Sequence, residues 1–103
     1  MLLYIYMTTY TPIDYFKVFL NAHVLDDDTK DELCSEFIQV KDSWENNKLG
    51  HLNYRYVLYK LLQLRGYNVK YAVYKREKVD MWDIKWRSVC TDLGWKYMSS
   101  ETA

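Results

Sequence analysis

The sequence predicts a mainly α fold, a compact four-helix domain with room for a small two- or three-stranded β element. Three observations predict it. Apolar residues recur at helical spacing in four separate segments. Start signals such as Thr11-Pro12 and stop signals such as Gly66 and Gly94 bound those segments. The 103 residues, 50% of them hydrophobic, suffice for a single domain with one core.

Two short stretches alternate apolar and polar or aromatic residues with the period of a strand. They are residues 1–7 and residues 67–75, which could pair with each other or with residues 95–97. Signals this short are weak, so the β element is an addition to the helical prediction and not its basis.

The first helix is predicted from Pro12 to about Leu25. Thr11 is placed as the N-cap, Pro12 takes the first helical position, and Asp14 completes a capping box. The positions that recur at helical spacing are Ile13, Phe16, Leu20 and His23 or Val24.

The second helix is predicted to start at a capping box of Thr29 and Glu32 and to end near Asn46-Asn47. The carboxylates of residues 26–28 precede it, close to the positive end of the helix dipole. Its apolar stripe comprises Leu33, Phe37, Val40 and Trp44, widened by Cys34 and Ile38.

The third helix is predicted from about Asn53 to Leu64, with Gly66 as its left-handed cap. One broad arc of this helix is apolar and contains Tyr54, Val57, Leu58, Leu61, Leu62 and Leu64. That is more apolar surface than a peripheral helix needs, so a central position is expected. The opposite arc holds Arg55, Tyr56, Tyr59, Lys60 and Gln63.

The fourth helix is predicted from about Glu77 to Leu93. Its apolar face comprises Val79, Trp82, Trp86, Val89, Cys90 and Leu93. Gly94 is placed just beyond its end, where a left-handed residue lets Trp95 fold back onto the helix. Asp83 and Arg87 have the i, i+4 spacing of a surface ion pair.

The net charge is zero but unevenly spread. Residues 1–50 hold nine acids and four bases, and residues 51–103 hold ten bases and five acids. A basic second half could steer a polyanion to one face of the protein. Attraction between the two halves within the fold is the preferred explanation, and a free-standing, strongly basic DNA-binding protein is excluded.

Residues 54–66, followed by Lys75-Arg76-Glu77-Lys78 and then by Trp86, Cys90 and Asp92 to Trp95, carry a recognisable pattern. It resembles the carboxy-terminal part of the viral late gene transcription factor 3-like proteins of poxviruses, iridoviruses and other giant viruses. In that family an aromatic-led helix ends in Gly, and a tryptophan-bearing helix closes in Leu-Gly-Trp. The resemblance is strongest over residues 52–97, and Val79 replaces the usual Leu.

The resemblance implies a role in late viral transcription, but one feature of the family is missing. Full-length relatives carry an amino-terminal zinc ribbon built from cysteine pairs, whereas Cys34 and Cys90 here are far apart. We therefore expect a stand-alone carboxy-terminal module of residues 1–103 without a zinc ribbon, as a fragment, the product of a split gene or a divergent relative.

No cofactor, metal or active centre is expected. The candidate ligands His23, His51, Cys34 and Cys90 lack metal-site spacing, and both thiols fall on predicted apolar faces. Carboxylates 26–28 are better explained as helix-start acids than as a cation loop. A catalytic thiol is the least favoured hypothesis, so a non-enzymatic protein is predicted.

Basic and tyrosine residues interleave in the second half, where Lys and Arg could neutralise phosphates and Tyr could stack on bases. The candidate contacts for nucleic acid or a partner protein are Arg55, Tyr56, Tyr59, Lys60, Arg65, Lys70, Lys75, Arg76 and Lys78. An ordinary solvated surface is the alternative. The residues of the structural signature are Gly66, Trp82, Trp86, Gly94 and Trp95.

The first functional hypothesis is a module that binds proteins of the viral transcription machinery, with DNA as a second candidate partner. Met81 supports it, since it lies off the apolar stripe of the last helix. The alternative is a small helical structural or interaction protein of the virion. We expect the protein in the host cytoplasm, at the viral factory, or in the virion. Membrane association and secretion are not expected, because the apolar residues 1–7 are too short for a span or a signal peptide.

Overall fold

The computed structural model describes residues 11–71 and 74–100. Its helices are α1 (Pro12–Leu20), α2 (Asp27–Asn46), α3 (Tyr54–Leu64) and α4 (Arg76–Leu93). The predicted mainly α, four-helix fold is confirmed. Within the described ranges no residue lies in a strand, and this includes 67–71 and 95–97. The strand predicted at residues 1–7 lies outside them.

Helix α1 begins as predicted but ends earlier. The carboxylate of Asp14 accepts hydrogen bonds from the backbone amide and the hydroxyl of Thr11, each at 2.9 Å. The prediction that the helix continues to about Leu25 is wrong, since it ends at Leu20. Val24, counted as part of its apolar repeat, is wholly exposed, so no packing supports a longer helix there.

The N-cap of helix α2 lies three residues before the predicted one. The side chain of Asp26 accepts a hydrogen bond from the Thr29 amide at 2.7 Å, and the helix begins at Asp27. The predicted capping box of Thr29 and Glu32 is therefore wrong, because a carboxylate upstream takes the capping role. The predicted end near Asn46 is confirmed.

The core lies between all four helices. Helix α2 packs against each of the other three, and α3 packs against α1 and α2. The predicted stripe of α2 is confirmed, since all four of its members are buried. The rings of Phe16 and Phe37 stack with centroids 4.3 Å apart where α1 meets α2. Among the described residues, no helix has the length and apolar character needed to cross a membrane.

Both predicted glycine stops are confirmed. Gly66 has φ +87°, and the Tyr67 amide bonds the Leu62 carbonyl at 3.1 Å. Gly94 has φ +71°, and the Trp95 amide bonds the Cys90 carbonyl at 2.9 Å. These turns direct two segments: the loop after α3, and residues 95–100, which return across α3 and α4.

Candidate interaction surface

The predicted contact residues do not form one surface, because two of them are buried. Tyr56 and Lys60 are each only 1% exposed. The predicted polar arc of α3 is covered by α4 on one side and by the returning segment 95–100. A role for these two side chains in direct contact with a partner or with DNA is therefore wrong.

Lys60 instead forms the centre of a buried polar cluster. Its ammonium donates hydrogen bonds to the Met98 carbonyl at 2.5 Å, to Gln63 Oε1 at 2.9 Å and to Ser100 Oγ at 3.0 Å. It also faces the rings of Tyr56, Tyr71 and Tyr97 at 5.7–6.0 Å from their centroids. The positive charge is thus enclosed by protein acceptors and ring faces.

Asp83 supplies the counter-charge. Its carboxylate lies 3.8 Å from the Lys60 ammonium and accepts hydrogen bonds from the Tyr56 hydroxyl at 2.5 Å and the Ser100 hydroxyl at 2.7 Å. The Ser100 amide donates a further bond at 2.8 Å. The predicted surface pair with Arg87 is wrong, because Asp83 turns inward while Arg87 lies over the Tyr97 ring.

Burial sets the protonation of this cluster. It lowers the pKa of Lys60 to about 8, with the Asp83 charge opposing the shift. Burial and the Asp83 carboxylate raise the pKa of the Tyr56 phenol, and burial raises that of Tyr71. At neutral pH the Lys60 ammonium and the phenols therefore keep their protons, and protein groups already occupy the bonding positions of the cluster. It positions the segment 98–100 and is not accessible to a ligand.

Arg65 is used for internal packing as well. Its guanidinium bonds Glu32 and Glu36 of α2, each at 3.1 Å. This ion pair joins the acidic first half of the chain to the basic second half, in agreement with the prediction that the two halves attract each other within the fold.

The other predicted basic contacts are exposed. Arg55 lies over the Phe19 ring at 5.3 Å, and Lys70 follows α3 in the loop. Lys75, Arg76 and Lys78 surround the first turn of α4, with Arg76 bonded to Asp80 at 3.2 Å. Cations at the positive end of a helix dipole are locally unfavourable. Lys75, as the N-cap, makes no capping side-chain bond.

The outer side of α4 exposes apolar side chains. Met81 is 47% exposed and Ile84 is 71% exposed. Lys78 and Lys85 lie about one turn before and after Met81 on the same side of the helix. Sequence reasoning found Met81 but missed Ile84, although its i+3 spacing from Met81 was visible.

Both cysteines are free, Cys34 half-buried and Cys90 buried. Burial raises the pKa of each thiol, which is the opposite of what an activated nucleophile requires. In the described part of the chain, no three His, Cys, Asp or Glu side chains are grouped so that they could hold a metal ion.

The sequence profile of the family described as Poxvirus Late Transcription Factor VLTF3 like matches residues 22–97. The chain belongs to this family. The resemblance seen over residues 52–97 is therefore confirmed, and the VLTF3-like match extends upstream through α2. No curated protein and no solved structure matches the chain.

The VLTF3-like span contains α2, α3 and α4 together with the loop after α3. Lys60 and Asp83 fall inside it, whereas Met98 and Ser100, which complete their hydrogen bonding, lie just beyond its end. Helix α1 also lies outside the match. The candidate surfaces on α4 and on the loop after α3 both belong to the part of the chain that the family shares.

Proposed function

We propose that this chain is a non-enzymatic, protein-binding module of viral late transcription. It acts in the cytoplasm of the infected cell, at the viral factory. Membership of the late transcription factor family supports the process. The observation that supports protein binding is the apolar outer side of α4, formed by Met81 and Ile84 with basic neighbours.

That side of α4 is not used by the fold. Val79 and Trp86 of the same helix are completely buried on the opposite side, so the core is satisfied without Met81 or Ile84. An unbranched, polarizable Met adapts its shape to a partner, and removal of exposed apolar area from water favours association. Lys78 and Lys85 lie beside Met81, and the exposed Glu77 and Asp80 lie one turn before Met81 and Ile84. The apolar side therefore has a rim of both charges, which suits a partner with a mixed polar rim.

Affinity purification from infected cells tests this proposal. The double variant Met81→Glu, Ile84→Glu should lose most of the viral transcription proteins that mass spectrometry identifies with the wild type. Glu is a good helix former, so α4 should persist, as circular dichroism can check. The matched control is Val18→Glu, Val24→Glu, which changes two exposed valines elsewhere and should leave recovery unchanged. Equal recovery with both double variants would contradict the proposal.

A nucleic-acid contact is the second part of the proposal, supported by Lys75, Arg76 and Lys78 at the start of α4. A phosphate bound there would offset the unfavourable placement of these cations at the positive end of the helix dipole. Affinity for duplex DNA should then fall steeply with salt. Lys75→Gln with Lys78→Gln should reduce the slope of log K against log salt by about 1 to 2. Binding that is insensitive to salt would remove this part.

Quantitative mass spectrometry of purified virus particles separates transcription from a structural role in the virion. A transcription module should be present in trace copy number beside polymerase subunits. Stoichiometric abundance with capsid proteins would instead favour the structural alternative.

A further inference from the structure

The loop after α3 and the end of α1 enclose an open recess of about 270 Å³, lined by His23, Tyr59, Tyr67, Asn68, Val69 and Lys70. Two of these residues, Tyr59 and Lys70, belong to the predicted contact set. The fold thus brings together a cation, two phenol rings, an imidazole and an amide that are spread along the sequence. We call this feature the loop recess.

The Tyr59 wall of the loop recess is held in place by the fold, and the backbone of Tyr67 is bonded to α3. The Tyr59 ring makes edge-to-face contacts with His23, at 6.4 Å and 88°, and with Tyr71, at 5.7 Å and 78°. Gly66 turns the chain back so that the Tyr67 amide bonds to α3, while the Tyr67 side chain is 46% exposed. A flat ligand would therefore meet one ring, that of Tyr59, whose orientation is already set, and the exposed ring of Tyr67 beside it.

The charge of the loop recess distinguishes it from other recesses on the protein. Lys70 is exposed in it, and none of its lining residues is acidic. The recess between α1 and α2 contains Asp27 and Asp31, and that between α2 and α4 contains Asp92. Flat walls with a cation and no carboxylate suit a ligand that joins an uncharged ring to an anion.

We propose that the loop recess binds an unpaired base of single-stranded nucleic acid. The base stacks on the Tyr67 ring beside Tyr59, the Asn68 amide bonds its edge, and Lys70 neutralises an adjacent phosphate. The inference goes beyond the nucleic-acid part of the proposed function, which concerns duplex DNA at the start of α4, and assigns a single-stranded ligand to a separate site. Bases stacked within a duplex cannot enter such a recess without unpairing.

A second recess of about 280 Å³ lies on the other side of the same loop and shares Tyr67, Asn68 and Val69 with the first. Its remaining walls include Gln63 and Tyr71, and it too is lined without an acidic residue. The loop is therefore a ridge between two recesses, which provides space for the neighbouring nucleotide along a strand.

Fluorescence anisotropy with a labelled single-stranded oligonucleotide of about 12 nucleotides tests the inference. Tyr67→Leu should weaken binding about tenfold without changing the salt slope, because it removes a stacking face and no charge. Lys70→Gln should reduce the slope by about 0.7, the contribution of one phosphate contact on a single strand. The matched control for Tyr67→Leu is Tyr15→Leu, since Tyr15 is 47% exposed, and the control for Lys70→Gln is Lys17→Gln, since Lys17 is also exposed.

The results separate this inference from the broader proposal. Selective losses for Tyr67→Leu and Lys70→Gln, with unlabelled duplex competing poorly, support the loop recess. Equal losses in the control variants, or competition by duplex as strong as by single strand, would overturn it while leaving a nucleic-acid contact elsewhere. Preferential displacement by an acidic peptide would also overturn it. Absence of any binding of the single-stranded oligonucleotide would overturn the inference, whereas the duplex contact proposed at the start of α4 and the α4 protein contact would stand.

Discussion

Replacement of Lys60 by Met tests how much the buried cluster stabilises the fold. Met keeps most of the side-chain length but removes the ammonium. The Asp83 carboxylate then stays buried without its counter-charge, and the Met98 carbonyl and Gln63 Oε1 lose their shared donor. Removal of one partner from a buried ion pair costs about 3–5 kcal/mol. Burial lowers the pKa of Lys60, so removal of the ammonium also relieves a desolvation cost, and a loss at the lower end of that range, about 3 kcal/mol, is expected.

A loss of that size is a large fraction of the total. A chain of 103 residues is expected to have a free energy of unfolding of roughly 5–15 kcal/mol. Urea unfolding followed by tryptophan fluorescence suits the measurement, because Trp82 and Trp86 lie 5.3 and 6.4 Å from the Tyr56 ring within the affected region. With a slope of about 2 kcal/mol per molar urea, the midpoint should fall by about 1.5 M.

The matched control is Lys41→Met. Lys41 also pairs with a carboxylate, Glu45, at 3.2 Å, but this pair lies at the surface and should contribute less than about 1 kcal/mol. If Lys60→Met and Lys41→Met lose similar, small amounts of stability with unchanged slopes, the buried pair does not contribute as argued. The position of the segment 98–100 would then need another cause.

Three further predictions follow from single features. Gly66→Ala and Gly94→Ala should each lower the free energy of unfolding by about 1–2 kcal/mol. Both residues have positive φ, and an added Cβ meets no atom within 4 Å, so the cost is that of the backbone conformation alone. Thermal unfolding of the two variants measures this loss. Between about pH 8 and pH 10 the folded chain releases the Lys60 proton while the unfolded chain keeps it. The unfolding free energy of the wild type should therefore rise with pH relative to that of Lys60→Met. Urea titrations at several pH values measure this difference. The alkylation rate of Cys34 and Cys90 at pH 7.5 should be much lower in the folded protein than in urea, because burial raises the pKa of both thiols. Cys34 should react first, since Cys90 is the more buried of the two. Rapid labelling of the folded protein would favour the catalytic thiol hypothesis.

The parts of the fold that could be predicted from sequence depend on a few neighbouring residues. The bonds between Thr11 and Asp14 join residues three apart, and the turns at Gly66 and Gly94 need only a residue that tolerates positive φ. Such signals are complete within one turn of the chain. Where two local signals compete, as Asp26 and Thr29 do at the start of α2, their sequence order alone does not decide which one caps the helix.

The buried cluster could not be predicted this way, because its burial depends on a distant segment. Lys60 was assigned to the polar arc of α3 for its charge, but residues 98–100, almost 40 positions later, cover that arc. A signal did exist. Asp83 lies between Val79 and Trp86 on the apolar face of α4, and Lys60 lies beside the apolar arc of α3. When two such helices are adjacent, the acid and the base are expected to form a buried pair.

The same burial decides which part of the predicted contact set can contact a partner. Three of its members on α3 are used inside the protein: Tyr56 and Lys60 in the cluster, and Arg65 in its bonds to α2. The exposed basic members beyond α3 are in the loop after it and in the first turn of α4. The polar cluster joins α3 and the segment 98–100 to α4. The two proposed contacts therefore use surfaces of different chemistry outside the cluster, the apolar side of α4 for a protein and the basic aromatic loop for a nucleic acid.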